Sequence, residues 1–258
     1  MAHAWDADTY LRFANERTQP AVDLVARVDL WASRRIVDLG CGPGNSTGLL
    51  KARWPEAKVT GVDNSADMIR AARRDHPGIE FAEGDLSTWS PETPFDLVFT
   101  NAALQWVGDH GRLLPRLLDA VAPEGALAVQ MPRNHDFATH RLMRQVAAEA
   151  PWRDKLAGAR DPSPVKPPEF YYDCLAPKSR RIVLWETNYI QVMDGVDAII
   201  AWLHGTGLRP FLARLDADER PRFLDHYRGL LAQGFPARAD GKILLPYPRL
   251  FFIASPRR

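Results

Sequence analysis

Cysteine is scarce in this 258-residue chain, which holds only Cys41 and Cys174. Two cysteines build neither a disulfide framework nor paired C-x-x-C metal sites, so a reducing compartment, the cytoplasm, is expected. An excess of charge of one sign is lacking too. Against 33 Lys and Arg stand 32 Asp and Glu, a formal net charge of +1, which offers nothing to a nucleic acid or another polyanion. No apolar run approaches the ~20 residues of a membrane span. The start, Met1-Ala2-His3-Ala4-Trp5-Asp6, has neither the basic nor the apolar region of a secretion signal. The histidines show no ligand spacing such as H-x-x-x-H with an acid, so no metal is expected. A monomer or dimer without nucleic-acid or membrane partners is the expectation.

What is present centres on residues 36–47. Ile36-Val37-Asp38-Leu39 is a short apolar, β-branched run that reads as a buried strand. Gly40-Cys41-Gly42-Pro43-Gly44 follows, and Asn45-Ser46-Thr47 opens a helical pattern with Leu49, Leu50 and Trp54 facing inward. Strand, glycine turn and helix start form the layout of a nucleotide-type cofactor site. The spacing G-x-G-x-G is not the dinucleotide pattern G-x-G-x-x-G, and no Gly-Lys-Ser/Thr follows to make a phosphate loop. Asp38 is an acid that a pyrophosphate would not want and that suits a ligand with a cationic portion. Taken alone, the turn is also compatible with an ordinary α/β domain.

The rest of the chain supplies a rhythm. Lys58–Asp63 reads as a second strand ending in an acid 19 positions after Gly44, where a carboxylate can accept hydrogen bonds from a ribose diol. Ser65 caps a following helix that carries Met68. Residues 79–83 form a third strand, closed by Gly84-Asp85-Leu86; Asp85 is placed to accept from an exocyclic amine and Leu86 to pack on a base. Residues 95–101 form a fourth strand ending in Asn101, and 126–131 a fifth after a helix at 111–121. The pattern predicts an α/β fold with a doubly wound, mostly parallel sheet. Before it, helices are expected over 6–16 and 20–31, broken at Arg17-Thr18-Gln19-Pro20. After it, 182–193 and 247–254 are expected as edge strands. Segments of about 1–31, 132–180 and 195–240 are expected as a cap above the carboxyl edge of a single domain spanning 1–258.

With Asp38, the glycine turn, Asp63, Gly84-Asp85-Leu86 and Asn101 in view, residues 35–131 resemble the class I S-adenosylmethionine-dependent methyltransferases. That resemblance implies their Rossmann-like, seven-stranded fold with helical cap insertions. It implies S-adenosylmethionine as cofactor, S-adenosylhomocysteine as product, and no metal. In that family the turn lies against the methionine portion, which places Gly40, Cys41, Gly42, Gly44 and Asn45 at the cofactor, with Asp38 supporting the ammonium directly or through water. Asp63 would take the ribose diol, and Asn64 and Met68 are further cofactor-binding candidates. Gly84, Asp85 and Leu86 would serve the adenine, and Asn101, Ala102 and Trp106 would close the site after the fourth strand. Segments along the whole chain, including residues 12–21, 101–106, 205–211 and 245–251, are similar to the trans-aconitate 2-methyltransferases, bacterial enzymes that esterify one carboxylate of a polycarboxylic acid.

A carboxylate acceptor is already ionised at neutral pH, with a reference pKa near ~4. No general base is then needed, and the chain offers no evident catalytic dyad. Its task is positioning and exclusion of water. Arginines are expected on the non-reacting carboxylates. The candidates are Arg209 in its Gly-rich turn, Arg133 after the fifth strand, and Arg17; Trp106, Tyr171, Tyr172 and Tyr247 are candidate walls and donors. Two alternatives stay open: a small-molecule methyltransferase with another acceptor, and a non-catalytic module that binds S-adenosylmethionine. The spacing and the lack of a Tyr-x-x-x-Lys pair disfavour a nicotinamide enzyme.

Overall fold

The computed structural model describes residues 14–159 and 165–257, with the side chains of 14–17 outside that description. A seven-stranded sheet has the order β3-β2-β1-β4-β5-β7-β6. Its strands are β1 (Arg35–Leu39), β2 (Lys58–Asp63), β3 (Glu80–Glu83), β4 (Phe95–Asn101), β5 (Val121–Pro132), β6 (Ser179–Met193) and β7 (Ile243–Pro256). The first five pair in parallel, and β7 runs antiparallel to β5. Order reverses between β1 and β4, which is where an open sheet leaves a crevice at the carboxyl ends of its strands. Of the two strands expected at the edge, only β6 lies there; β7 lies inside the sheet, paired with β5.

The chain divides into two units. The sheet unit comprises Met1–Pro132, Val165–Thr187 and Arg249–Arg258. One face of its sheet carries Val37, Val98, Leu127, Val129, Met131, Leu250 and Phe252 into a buried core, packed with Leu113, Leu114, Leu117 and Leu118 of helix α4 (His110–Asp119). Helix α1 (Ala14–Arg27) belongs to this unit and not to a separate cap. Two helices were expected here, broken before Pro20; the structure has one, with Pro20 inside it. Proline forfeits one hydrogen bond and crowds the preceding turn. Ala21, Leu24, Val25 and Val28 are nevertheless all buried, and the burial of that stripe at helical spacing holds the helix together. The part of the expected first helix before residue 14 lies outside the described residues.

The second unit comprises Arg133–Pro164 and Asn188–Pro248. Helix α5 (Ala138–Ala147), α6 (Arg153–Leu156), α8 (Val196–His204), α9 (Arg209–Leu212) and α10 (Glu219–Gly234) build it. Tyr227 of α10 is buried and donates to the Thr139 carbonyl at 3.0 Å. Trp152 meets Phe223 edge-on with ring centroids 5.5 Å apart. Helix α7 (Pro168–Leu175), expected among the cap segments, instead joins the sheet unit. Among the described residues, no helix is long and apolar enough to cross a membrane.

Candidate functional site

The glycine turn is built by its backbone. Gly40 and Cys41 both donate their N–H to the Val62 carbonyl, at 2.7 and 3.1 Å, which fastens the end of β1 to β2. Gly40, Gly42 and Gly44 have φ of +71°, +53° and +93°, a region in which a side chain is strained. Their surroundings differ. A Cβ on Gly40 would overlap the Cβ of Ala103, and one on Gly44 would lie 2.7 Å from the His76 ring, whereas one on Gly42 would meet nothing within 4 Å. Gly40 and Gly44 are therefore glycines for packing, and Gly42 leaves open space. Helix α2 (Asn45–Arg53) begins directly after the turn.

Asp38 is fully buried at the end of β1. Its Oδ2 accepts from Ser46 Oγ at 2.6 Å and from Thr47 Oγ1 at 2.7 Å, both in the first turn of α2. Its Oδ1 has no hydrogen-bond partner. Burial pushes the carboxyl up to about 6, a rise opposed by the two hydroxyls and reinforced slightly by Asp63. A buried carboxylate with one oxygen unanswered is costly unless a cation or donor completes it. Ser46 and Thr47 were not singled out from the sequence; the signal available was a hydroxyl pair in the first helical turn after the glycines.

Asp63 ends β2. Its Oδ2 accepts the Gly42 N–H at 2.9 Å and its Oδ1 the Ser65 N–H at 2.9 Å. Each oxygen retains a second lone pair, so the group can shape the turn and still accept from a diol. Burial raises its pKa, against the opposing main-chain hydrogen bonds. Asn64 is exposed beside it, and Ser65 caps helix α3 (Ala66–Asp75) by accepting the Met68 N–H at 3.4 Å. The Met68 side chain is buried. Cys41 turns its side chain into a small cluster with Ile69, Ala72 and Phe81, and burial pushes its thiol up, so only its main chain is available to a ligand.

After β3, the Gly84 N–H donates to the Asp63 carbonyl at 3.0 Å, and a Cβ there would lie 2.9 Å from Val62. Asp85 is exposed, with Oδ1 accepting the Ser87 N–H at 2.7 Å. The Leu86 side chain is buried and belongs to the apolar core cluster of the sheet unit. After β4, Asn101 is half-buried with its Oδ1 unpartnered, and Ala102 takes φ +53° while donating its N–H to the Gln130 carbonyl at 3.0 Å. A short 3₁₀ turn, Leu104–Trp106, follows, leaving Trp106 39% exposed.

Tyr171 is corrected from a substrate wall to a core residue. It is fully buried and stacks on Phe252 with ring centroids 5.3 Å apart. Its hydroxyl meets His110 Nδ1 at 2.9 Å and accepts the Lys166 N–H at 3.0 Å. His110 Nε2 lies 2.8 Å from the Leu104 carbonyl, which can only accept; Nε2 therefore carries the proton and Nδ1 accepts from Tyr171. Tyr172, next on α7, is 52% exposed. In the second unit Tyr247 meets Trp202 edge-on at 5.5 Å, and the Arg133 N–H donates to the Pro248 carbonyl at 2.9 Å. Arg209 begins α9, and burial lowers its pKa. Arg17 lies on α1 with its side chain outside the description.

The donors and acceptors present fit a ligand with an ammonium, a diol and an aromatic amine: Asp38 and Asp63 stand at the ends of β1 and β2, and Asp85 two residues past the end of β3, on three neighbouring parallel strands. No group of three His, Cys, Asp or Glu able to hold a metal occurs among the described residues. A family profile described as a methyltransferase domain matches residues 36–125. The trans-aconitate 2-methyltransferase of Azoarcus sp. (strain BH72) is 52% identical over 97% of this chain and 98% of its own. That of Rhodopseudomonas palustris (strain BisA53) is 50% identical over the same shares. The structure of Haemonchus contortus phosphoethanolamine N-methyltransferase 2 in complex with S-adenosyl-L-methionine aligns over 97% of this chain and 56% of its own, with a TM-score of 0.58. At 16% identity it speaks for the fold alone. Identity of about half, sustained over nearly the full length of both chains, places this chain in the trans-aconitate 2-methyltransferase family.

Proposed function

We propose that this protein transfers the methyl group of S-adenosylmethionine to a carboxylate of trans-aconitate, giving a monomethyl ester and S-adenosylhomocysteine. The observation that carries the cofactor half is the unpartnered oxygen of Asp38, buried at the end of β1, followed in the chain by a turn that leaves open space at Gly42. The acceptor half is supported by the relatives that share about half their residues with this chain. When bound, the cofactor supplies an electrophilic methyl on a sulfonium.

The chain's residues do the rest. Asp38 takes the ammonium, and its charge is completed there. Asp63 accepts from the ribose hydroxyls while holding Gly42 in place. Asp85 accepts from the adenine amine, and the main chain around Asn101 and Ala102 closes the methionine side. The acceptor carboxylate is its own nucleophile, ionised at neutral pH with a reference pKa near ~4, so no residue must remove a proton. Close pairing of a cation with the attacking oxygen would stabilise the ground state more than the transition state, because that charge is neutralised during transfer. Arg209, Arg133 and Arg17 are therefore assigned to the non-reacting carboxylates, with Trp106, Tyr172 and Tyr247 excluding water. The free thiols of Cys41 and Cys174 support a cytoplasmic location as part of the same reading.

The test is an incubation of the purified protein with S-adenosylmethionine and a panel of organic acids and phenols, read by mass spectrometry. The expected product is trans-aconitate heavier by one methylene, formed in step with S-adenosylhomocysteine. Cofactor binding without turnover of trans-aconitate would overturn the acceptor half alone.

A further inference from the structure

The sheet has two faces, and one carries a row of four polar side chains, two of which, Gln130 and Arg249, the cofactor map leaves unused. Val37, Val98, Val129 and Phe252 share the apolar core on one face. Strand alternation then puts their neighbours on the other face. Register aligns Asp38 with Phe99, Asn101 with Gln130, Gln130 with Phe251, and Pro132 with Arg249. Asp38, Asn101, Gln130 and Arg249 therefore stand on one face, toward the carboxyl ends of β1, β4 and β5. All four belong to the sheet unit.

Gln130 is fully buried, and neither its Oε1 nor its Nε2 has a hydrogen-bond partner. Its main-chain carbonyl is already used, accepting from Ala102. Asn101, directly beside it, has an unpartnered Oδ1. Arg249 is a guanidinium only 4% exposed, one position diagonal from Gln130 on the neighbouring strand, within reach of a long side chain. Phe251 lies flat on Trp185 with ring centroids 4.9 Å apart and closes the row on its far side. A buried amide with both ends unanswered in an otherwise well-packed sheet marks a place for a ligand group. Along the row the charge changes sign, from Asp38 at β1 to Arg249 at β7. The acidic end suits the cofactor's ammonium. The other end suits an anion.

We propose that Gln130 and Arg249 form an acceptor-binding pair that holds one non-reacting carboxylate of a polycarboxylic acid, with the Gln130 amide donating to it and Asn101 lying between acceptor and cofactor. The pair rests on the methyltransferase reading above and deepens it. It places part of the acceptor's recognition within the sheet unit. The guanidinium supplies charge and a planar fork; the amide supplies direction.

The test uses the full chain in steady-state kinetics, with cofactor affinity measured separately by calorimetry. Gln130→Leu keeps size and burial and removes both polar atoms. It should raise the KM for trans-aconitate about tenfold, the worth of one hydrogen bond to a charged group, and leave cofactor Kd within about twofold. Gln130→Glu sets a second negative charge against the carboxylate and should raise KM further. Arg249→Lys keeps the charge, loses the fork and should also raise acceptor KM alone. With a dicarboxylic analogue lacking the held carboxylate, the Gln130→Leu penalty should vanish. An unchanged acceptor KM in Gln130→Leu, or a cofactor Kd that rises in parallel, overturns the pair while wild-type turnover leaves the methyltransferase reading standing. Failure of the wild type to methylate any polycarboxylic acid overturns both.

Discussion

Gly40 and Gly42 share a positive φ and a sequence motif, yet alanine should act on them through different physics. Alanine at either position carries the left-handed penalty of about 1–2 kcal/mol. At Gly40 the new methyl also overlaps the Cβ of Ala103, which rides on the backbone after β4 and cannot rotate away. Overpacking of that kind adds about 1–3 kcal/mol. Gly40→Ala should therefore lose about 2–5 kcal/mol, and at roughly 2–4 °C per kcal/mol for a chain of this size its Tm falls by about 4–20 °C. At Gly42 no atom stands within 4 Å of the new methyl. Gly42→Ala should lose only about 2–8 °C, by the same conversion of about 1–2 kcal/mol. Its methyl stands in the space assigned to the cofactor, so Kd for S-adenosylmethionine should rise at least about tenfold, more than 1.4 kcal/mol. Thermal unfolding of the ligand-free proteins and calorimetric titration of the cofactor read the two quantities separately. Wild-type affinity in Gly42→Ala, or a Gly40→Ala protein that keeps its Tm and loses only affinity, would refute the division of labour between these glycines.

Three further substitutions test other parts of the site. Burial lifts Asp38 from 3.8 to about 6, so the folded ligand-free protein holds the extra proton between those values. Its stability then falls as pH rises through that window, by about 3 kcal/mol in all. Asp38→Asn does not titrate; its ligand-free Tm should exceed wild type above about pH 6 and converge with it below about pH 4, while its cofactor Kd at neutral pH rises. A wild-type Tm that is flat relative to Asp38→Asn across the window would contradict this. Tyr171→Phe strips the partner from the Lys166 N–H and from His110 and should cost about 1–3 kcal/mol of stability with kcat/KM unchanged; a fall in kcat/KM would return Tyr171 to the site. Arg209→Ala should raise acceptor KM about tenfold and leave cofactor KM alone, as expected for loss of a charged hydrogen bond; equal rises in both would remove it from the acceptor's arginines.

What could be read in advance was local. The turn from Asp38 to Gly44 is contiguous, Asp63 ends its strand and Asp85 follows one, and the apolar patterns of those strands are plain, so the acids proposed for the cofactor are legible in the sequence. Helix α1 is not legible as one helix because a proline in the chain reads as a break, and the burial of Leu24 and Val25 that outweighs it is a tertiary fact. Tyr171 and Tyr172 are adjacent aromatics with no local sign of which is buried; Phe252 and His110, distant in sequence, decide it. Gln130 sits in an apolar strand and looks like an interruption. Its place beside Asn101 and near Arg249 follows only from the register of β5 with β4 and β7.

The chemistry itself is tested most directly by the fate of the methyl carbon. The protein would be incubated with trans-aconitate and S-adenosylmethionine labelled with carbon-13 at the methyl group, and the mixture followed by carbon NMR. The predicted result is a single new labelled resonance at the position of a methyl ester, growing as the sulfonium methyl declines. A sulfonium signal that persists beside untouched trans-aconitate, or a label that appears on a nitrogen or carbon centre, would contradict carboxyl O-methylation.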